Sequence, residues 1–280
     1  MKKNGRAEIT IQTTMAHLTR LNKLCNIYEP EQVKTTIAIQ TWKNNSKRNL
    51  AQIYNGYLKY IGRTWEQPKY THESGLPFIP TEQELDTIIA HGKTRTATLL
   101  QMLKETGARI GEMKTLQWIH IDTERRTIYI TAEKGSNSRI LPISTKLIAM
   151  LNQIPHHNQR IFPTSTHGLQ VTIDKLKRRA SKKLNNPRLL QIHPHTFRHW
   201  KGTTEYHKTK DIIHVKTVLG HKNIASTMLY INLENALYLE QNDEWTCKVA
   251  KTPDEAIKLI ETGFTKADEI DGLHIYKKRK

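Results

Sequence analysis

An aperiodic, proline-rich stretch between two helical regions constrains the fold of this chain more than any other feature. Residues 63–80 hold three prolines and a glycine without regular apolar spacing, which is typical of a linker between domains. A chain of 280 residues is long enough for two ordinary domains. Before the linker, helical segments are predicted at about 8–27, 31–43 and 46–61. We therefore predict a small helical N-terminal domain over residues 1–72 and a larger domain over residues 73–240.

The larger region is helical except for one interlude of short β-runs. Over residues 118–142, which include Trp118 and Ile119, apolar and β-branched residues form short runs between polar turns, and this pattern predicts a small antiparallel sheet. Further helices are predicted within 81–117 and at about 144–153, 168–184, 196–207, 211–219 and 223–239. The tail, residues 241–280, is predicted as strand, helix, strand and strand, with a turn at Asp271-Gly272. The predicted fold class is mainly α with a small antiparallel β-sheet.

The charge of the chain is strongly and unevenly basic. The net charge is +18, and residues 1–230 hold 36 Lys and Arg against 16 Asp and Glu, whereas residues 231–280 hold 8 against 10. Such an excess indicates a polyanionic partner, most commonly nucleic acid. An anionic membrane surface would require a basic amphipathic anchor with bulky apolar residues, and no convincing one is present.

The hydropathy and the cysteines indicate the cellular location expected for such a chain. No apolar run approaches the roughly 18–20 residues of a membrane-spanning helix, and no apolar signal-peptide core follows the N-terminus. The two distant cysteines, Cys25 and Cys247, form neither a metal cluster nor a disulfide framework. We therefore expect a cytoplasmic, DNA-associated protein without a membrane partner.

Four short segments combine basic and nucleophilic side chains. Taken singly, Arg109 could cap a helix, Lys134 could be a solvated lysine and Tyr230 could be a core tyrosine. His195 and Arg198, by contrast, are spaced i and i+3, which places both side chains on one face of a helix. The segments are Thr106-Gly-Ala-Arg109-Ile-Gly-Glu112, Glu133-Lys134-Gly135, His195-Thr-Phe-Arg198-His199, and Leu219-Gly-His221 with Tyr230 nine residues later.

In this order and spacing, the four segments resemble the signature boxes of the tyrosine recombinase, or phage integrase, family. The resemblance covers roughly residues 5–240 and is most specific in the last two boxes. It implies a two-domain clamp on duplex DNA, with a helical core-binding domain and a catalytic domain. It also implies strand cleavage and rejoining through a covalent 3′-phosphotyrosyl intermediate, by a homotetramer on two DNA sites.

The resemblance assigns a role to each side chain of the boxes. Arg109 and Arg198 would bind the scissile phosphate, because guanidinium groups stay charged and match phosphate oxygens. Tyr230 would be the nucleophile and His195 the general base. Lys134 would protonate the leaving 5′-oxygen, His221 would donate a hydrogen bond to the phosphate, and Glu112 would support a catalytic side chain.

Other basic residues are candidates for contact with the DNA backbone, which positions a protein without reading sequence. They lie at a break between two N-terminal helices, on the predicted strand after Lys134, and in a segment with six cations in nine residues. The candidates are Lys43, Lys47, Arg48, Arg139, Lys175, Arg178, Arg179 and Lys182.

A metal site is disfavoured. His193, His195 and His199 lie close together in sequence, but they flank a predicted helix start and no cysteine is near. The recombinase mechanism implied by the resemblance needs neither a metal nor a cofactor.

The sequence also favours one kind of recombinase, while two rival functions stay open. The long segment after Tyr230 favours a mobile-element integrase and predicts a contact between protomers through residues 241–280, and accessory DNA-bending or directionality factors are possible partners. Trp200-Lys201-Gly202 stands where many bacterial relatives have small hydroxylated residues, which indicates a divergent branch of the kind found among archaea. The rivals are a type IB topoisomerase-like enzyme that acts as a monomer and a non-catalytic DNA-binding relative.

Overall fold

The computed structural model describes residues 5–72, 75–133, 135–238, 245–270 and 273–279. The chain divides into two compact units, residues 1–76 and 77–280. The predicted assignment of residues 1–72 and 73–240 to a DNA-binding and a catalytic domain, with a separate tail, stays a prediction. Within the described ranges, no helix is long and apolar enough to cross a membrane.

The first unit is helical. Its helices are α1 (Glu8–Asn22), α2 (Pro30–Ile39) and α3 (Asn44–Tyr60). Pro30 opens α2, where its missing N–H costs no helical hydrogen bond. The core is formed by Leu21, Val33, Ile37, Leu50, Tyr54 and Leu58. The buried Tyr54 hydroxyl donates to the Ile27 carbonyl at 2.9 Å, so the largest side chain of this core is also hydrogen-bonded.

The second unit is built mainly from helices. The helices before the first sheet are α4 (Glu82–Ala90), α5 (Thr94–Thr106) and α6 (Ile110–Thr115). Those after it are α7 (Thr145–Asn152), α8 (Thr166–Leu184), α9 (Pro194–Thr209), α10 (Ile212–Leu219) and α11 (Ala225–Leu237). The helix α9 packs against α5, α10 and α11, which places it at the centre of the unit.

The first sheet lies between α6 and α7. It is antiparallel in the order β1-β2-β3, with strands β1 (Ile121–Asp122), β2 (Thr127–Ile130) and β3 (Arg139–Pro142). The prediction of strand at Trp118 and Ile119 was wrong, because residues Trp118–His120 form a 3-10 turn. The turn is held by a 3.2 Å hydrogen bond from the Gln117 N–H to His120 Nδ1 and by stacking of Trp118 on His156 at 3.7 Å.

The tail folds as strand, helix, strand, strand, as its pattern predicted. Its elements are β4 (Trp245–Ala250), α12 (Pro253–Glu261), β5 (Thr265–Ile270) and β6 (Leu273–Arg279), and the sheet order is β4-β6-β5. A small cluster of Ala250, Phe264 and Tyr276 packs with α12. The predicted turn residues Asp271 and Gly272 lie outside the described residues. The predicted fold class, mainly α with small antiparallel sheet, is confirmed.

Candidate active site

Arg198 links α9 to the ends of two other helices. It lies in the first half of α9 and is 1% exposed. Its Nη1 donates to the Gly107 carbonyl at 2.8 Å and its Nη2 to the Leu219 carbonyl at 2.7 Å, so the guanidinium bonds carbonyl groups at the C-terminal ends of α5 and α10. Burial, followed by the charge of Arg109, lowers the pKa of Arg198 to about 10. The group therefore stays cationic at neutral pH.

Glu112 is the anionic centre of the arginine cluster. Its buried carboxylate receives a bidentate pair from Arg139, with Nη2–Oε2 at 2.9 Å and Nη1–Oε1 at 3.2 Å. It also accepts the backbone N–H of Arg109 at 2.9 Å, where α6 begins. Burial by itself would raise the pKa of Glu112, but the hydrogen bonds and charge of Arg139 outweigh it and the pKa lies below its ordinary value. Glu112 is thus an ionised acceptor that fixes the start of α6.

Arg109 is positioned by Glu112 but only partly satisfied. Its Nη1 lies 3.6 Å from Glu112 Oε1, beyond ordinary hydrogen-bonding distance. That nitrogen is buried and has no hydrogen-bond acceptor among the described residues. The anion beside this nitrogen is Glu112 itself, but the Arg109 side chain as a whole is 26% exposed, so part of it remains accessible to a second anion.

The turn before β3 is bonded to the loop that carries His221. The Asn137 N–H donates to the Gly220 carbonyl at 2.9 Å, and the Ser136 hydroxyl lies 3.1 Å from both that carbonyl and Glu112 Oε1. Gly220 has φ +68°, and a Cβ there would meet the Asn137 carbonyl at 2.7 Å. The glycine of the Leu-Gly-His box is therefore required by backbone conformation and by close packing.

His221 is neutral at physiological pH. Burial, then the charges of Arg198, Arg109 and Arg139, lower the pKa of His221 to about 3. Its Nδ1 lies 2.9 Å from the Thr227 hydroxyl. With Thr227 donating to Nδ1, the proton of the neutral ring resides on Nε2, which then serves as a hydrogen-bond donor.

Tyr230 lies in α11 and is 1% exposed. Its hydroxyl is 3.4 Å from His199 Nδ1, and its ring is parallel to that of His221 with centroids 6.4 Å apart. Burial raises the pKa of Tyr230 to about 12, although the charges of Arg198 and Arg109 act in the opposite direction. The phenol is therefore protonated at neutral pH.

Both arginines of the boxes, Arg109 and Arg198, line one pocket of about 380 Å³ together with His221 and Tyr230. Of the six predicted catalytic residues, five lie on it: Arg109, His195, Arg198, His221 and Tyr230. The sixth, Lys134, lies outside the described residues, but the following Gly135 lines the pocket. Within the described part of the chain, no group of three or more His, Cys, Asp or Glu is arranged to hold a metal ion. The pocket thus joins cationic donors to a phenol that can act as a nucleophile.

The chain matches the family model described as the phage integrase family over residues 80–236, which is more than half of its length. This chain belongs to the phage integrase family. The family predicted from the four boxes is confirmed.

Two relatives of this chain are named tyrosine recombinases. A tyrosine recombinase of Thermosipho africanus (strain TCF52B) is 27% identical over 198 residues, which are 66% of this chain and 69% of that protein. Tyrosine recombinase XerC of Shewanella amazonensis (strain ATCC BAA-1098 / SB2B) is 28% identical over 148 residues, 50% of this chain and 49% of that protein. The chain spans about half the length of several XerC relatives that it matches.

A solved structure shows the same fold. The lambda integrase tetramer bound to a Holliday junction has a TM-score of 0.63 at 14% sequence identity, and the match covers 79% of this chain and 74% of that chain. At this identity the likeness shows the fold, which agrees with the family match.

Among the basic residues predicted to contact DNA, Arg139 is placed differently from the rest. It is 7% exposed, and its guanidinium is occupied by Glu112 inside the protein. This placement favours a structural role for Arg139 over contact with a phosphate. Sequence reasoning missed this role because Glu112 and Arg139 are 27 residues apart and meet only in the folded unit.

The other basic candidates lie in two groups. In the first unit, Lys43 and Arg48 are exposed, and Lys47 donates to the Ala38 carbonyl at 2.8 Å. On α8, the exposed candidates are Lys175, Arg178, Arg179 and Lys182, of which Arg179 donates to the His91 carbonyl at 2.8 Å. Their contact with DNA stays a prediction.

His199 was part of a recognised box but received no catalytic role from the sequence. It lies four residues after His195 on α9, so the two rings share a face and meet edge to face with centroids 4.9 Å apart. His199, not His195, is within hydrogen-bonding distance of the Tyr230 hydroxyl in the described structure. The i, i+4 spacing of His195 and His199 was the sequence signal that could have placed His199 in the site.

Proposed function

We propose that this chain is a site-specific tyrosine recombinase, an integrase that cuts and rejoins double-stranded DNA during integration or excision of a mobile element. The observation that carries this proposal is the convergence of Arg109, His195, Arg198, His221 and Tyr230 on one pocket. The family match over residues 80–236 supports it.

The scissile phosphate would lie between the two arginines. Its non-bridging oxygens gain negative charge as the nucleophile adds, and fixed cationic donors stabilise that charge. The partly exposed Arg109 side chain, which lines the pocket, and the rigidly held guanidinium of Arg198 fit this task. His221 would donate a third hydrogen bond through Nε2.

Cleavage exchanges one phosphoester for another. Tyr230 Oη would attack phosphorus, its proton would pass to a general base, and the bond from phosphorus to the 5′-oxygen would break. The base role of His195 and the acid role of Lys134, which would protonate the leaving 5′-oxygen, remain those that the family resemblance implies. The 3′-phosphotyrosyl bond conserves the phosphoester, so a 5′-hydroxyl can reverse the reaction without an energy source.

The active assembly proposed is a homotetramer on two DNA sites. The neighbouring lambda integrase structure is a tetramer on a Holliday junction. We propose that the tail, residues 241–280, contacts a neighbouring protomer and so regulates which protomer cuts. Unchanged assembly and recombination after deletion of residues 244–280 would overturn the tail proposal alone.

The test uses a suicide duplex, nicked near the cut so that religation is blocked. Its sequence is the one that the purified chain selects from a library of random duplexes. In EDTA, the wild-type chain should form a covalent protein–DNA band and Tyr230→Phe should not. No band from wild-type protein on DNA that it binds would overturn the catalytic proposal, and a band that survives Tyr230→Phe would identify a different nucleophile.

A supercoiled plasmid separates recombination from the topoisomerase alternative. A recombinase should act on plasmids only when the selected site is present. Relaxation of any plasmid by monomeric protein would instead favour a type IB topoisomerase-like activity, which the family and its relatives do not favour.

A further inference from the structure

One face of α9 contacts the Tyr230 side chain at both its hydroxyl and its ring. His199 contacts its hydroxyl at 3.4 Å, and Gly202 lies one helical turn later, beneath its ring. Residues at i and i+3 share a helix face, so the two contacts belong to one surface. We call His199 and Gly202 the nucleophile seat.

Gly202 matters because it lacks a side chain. A Cβ at this position would lie 2.6–2.8 Å from the Cζ, Cε1 and Cε2 atoms of Tyr230, closer than carbon atoms approach in proteins. The tyrosine ring therefore occupies the space that any other residue would fill. Glycine lowers the stability of a helix relative to alanine. Its benefit at this position is therefore the space that it leaves for the tyrosine ring.

The protonation states suit a hydrogen bond from the tyrosine to the histidine. Burial, then the nearby His195, His193 and Arg198, lower the pKa of His199 to about 4. At neutral pH the ring is uncharged, and its Nδ1 can accept the phenolic O–H of Tyr230. With the phenol at a pKa of about 12, the proton stays on Tyr230 in this state. His199 is thus an acceptor that orients the hydroxyl and not a base that removes its proton.

We propose that His199 is a positioning residue, which together with Gly202 holds the Tyr230 hydroxyl in the phosphate pocket before cleavage. The bond is long, so the hydroxyl is oriented at little cost and is released readily when it attacks. This inference rests on the proposed function and adds to it a residue to which the four-box comparison gave no role.

The first test compares His199→Leu with His199→Asn. Asparagine places an acceptor near the position of Nδ1 but cannot become a cation, whereas leucine fills the space without an acceptor. Covalent complex formation is measured in single turnovers with saturating suicide duplex, and DNA affinity is measured separately.

A neutral hydrogen bond contributes modestly, so His199→Leu should slow cleavage by about 3- to 10-fold. His199→Asn should recover most of that loss, and neither change should alter DNA affinity. Cleavage by His199→Leu at the wild-type rate would overturn the proposal. Equal slowing by Asn and Leu would also overturn it, because the histidine would then be needed for proton transfer.

The second test adds a methyl group beneath the ring. Gly202→Ala should displace Tyr230 and slow cleavage, whereas Gly56→Ala, in α3 with nothing within 4 Å of its new methyl group, should have no effect. Equal cleavage rates for the two variants would show that Gly202 has no part in positioning Tyr230.

A third readout does not depend on cleavage. With 3-fluorotyrosine at position 230, the ¹⁹F resonance should shift in His199→Leu and Gly202→Ala but not in Gly56→Ala. If the resonance shifts while wild-type protein forms no covalent band, the proposed function fails and the seat stands. If cleavage depends on Tyr230 but the resonance does not respond to His199→Leu, the seat fails and the function stands.

Discussion

The arginine side of the candidate site, formed by Arg109, Glu112, Arg139 and Arg198, has stronger and more numerous hydrogen bonds than the side that carries Tyr230. Glu112 and Arg139 form a bidentate pair, and Arg198 makes hydrogen bonds of 2.7 and 2.8 Å to backbone carbonyls. In the described structure, the Tyr230 hydroxyl has a single 3.4 Å contact to a ring nitrogen. Electrostatic stabilisation benefits from fixed charges, whereas a nucleophile must move to form a bond. The contrast therefore matches the two roles proposed above, charge stabilisation by the arginines and attack by Tyr230.

Glu112→Gln should produce the largest effect on stability. It would leave the Arg139 guanidinium buried without its counter-charge, which costs about 3–5 kcal/mol in comparable cases. Urea unfolding of the full chain measures this loss as a lower free energy of unfolding in the transition of the second unit. Glu124→Gln makes the same substitution at an exposed position and should have little effect. Equal losses from the two variants would show that the arginine side does not depend on this pair.

Arg198→Lys should produce the next largest effect, on cleavage. Lysine cannot bond the Gly107 and Leu219 carbonyls and a phosphate with the same planar geometry. Loss of one such electrostatic donor lowers rates by about 100-fold or more. Single-turnover cleavage of the suicide duplex measures this, with Arg125→Lys, on an exposed turn, as the control. Arg198→Lys cleaving within a few-fold of wild type would contradict a fixed role for this guanidinium.

Acid should weaken the arginine side through Glu112. Its pKa is lowered on folding, so its contribution to stability is present above the unfolded pKa of about 4.3 and is lost as pH falls through the folded value. The difference in unfolding free energy between wild type and Glu112→Gln should therefore be constant near neutral pH and shrink below about pH 4.3. A difference that stays constant down to pH 3 would argue against an ionised Glu112.

Tyr230→Phe should have the smallest effect on stability, below about 1 kcal/mol, because it removes one long hydrogen bond. Tyr54→Phe offers a matched control. That tyrosine is also buried, but its hydroxyl donates to a backbone carbonyl at 2.9 Å, and its loss should cost about 1 kcal/mol or more. Thermal unfolding of both variants tests the comparison. A larger loss for Tyr230→Phe would mean that the proposed nucleophile is held as firmly as a structural tyrosine.

Much of the fold was predictable because helices and strands depend on local sequence patterns. The segments predicted at about 144–153 and 211–219 correspond to Thr145–Asn152 and Ile212–Leu219. The failure at Trp118 has a tertiary cause, since its ring stacks on His156, 38 residues away along the chain, and this contact overrode the β-like composition. Contacts of this kind are absent from any window of neighbouring residues.

The candidate site divides in the same way. Two spacings were visible in the sequence, that of His195-x-x-Arg198 and the nine residues from His221 to Tyr230. The first places two side chains on one face of a helix, and the second places Tyr230 on the helix that follows His221. The pairing of Arg139 with Glu112 was not visible, and Arg139 was therefore predicted to contact DNA.

The sequence by itself determined the family, the order of the helices and five of the side chains that line the pocket. The tertiary structure alone decided that His199 and not His195 contacts Tyr230, and which arginine turns inward to hold Glu112. The physical reason is that spacing along a chain fixes only the face of an element on which a residue lies. Which atoms meet depends on how α9, α11 and the first sheet pack together, and that packing is set by the whole core.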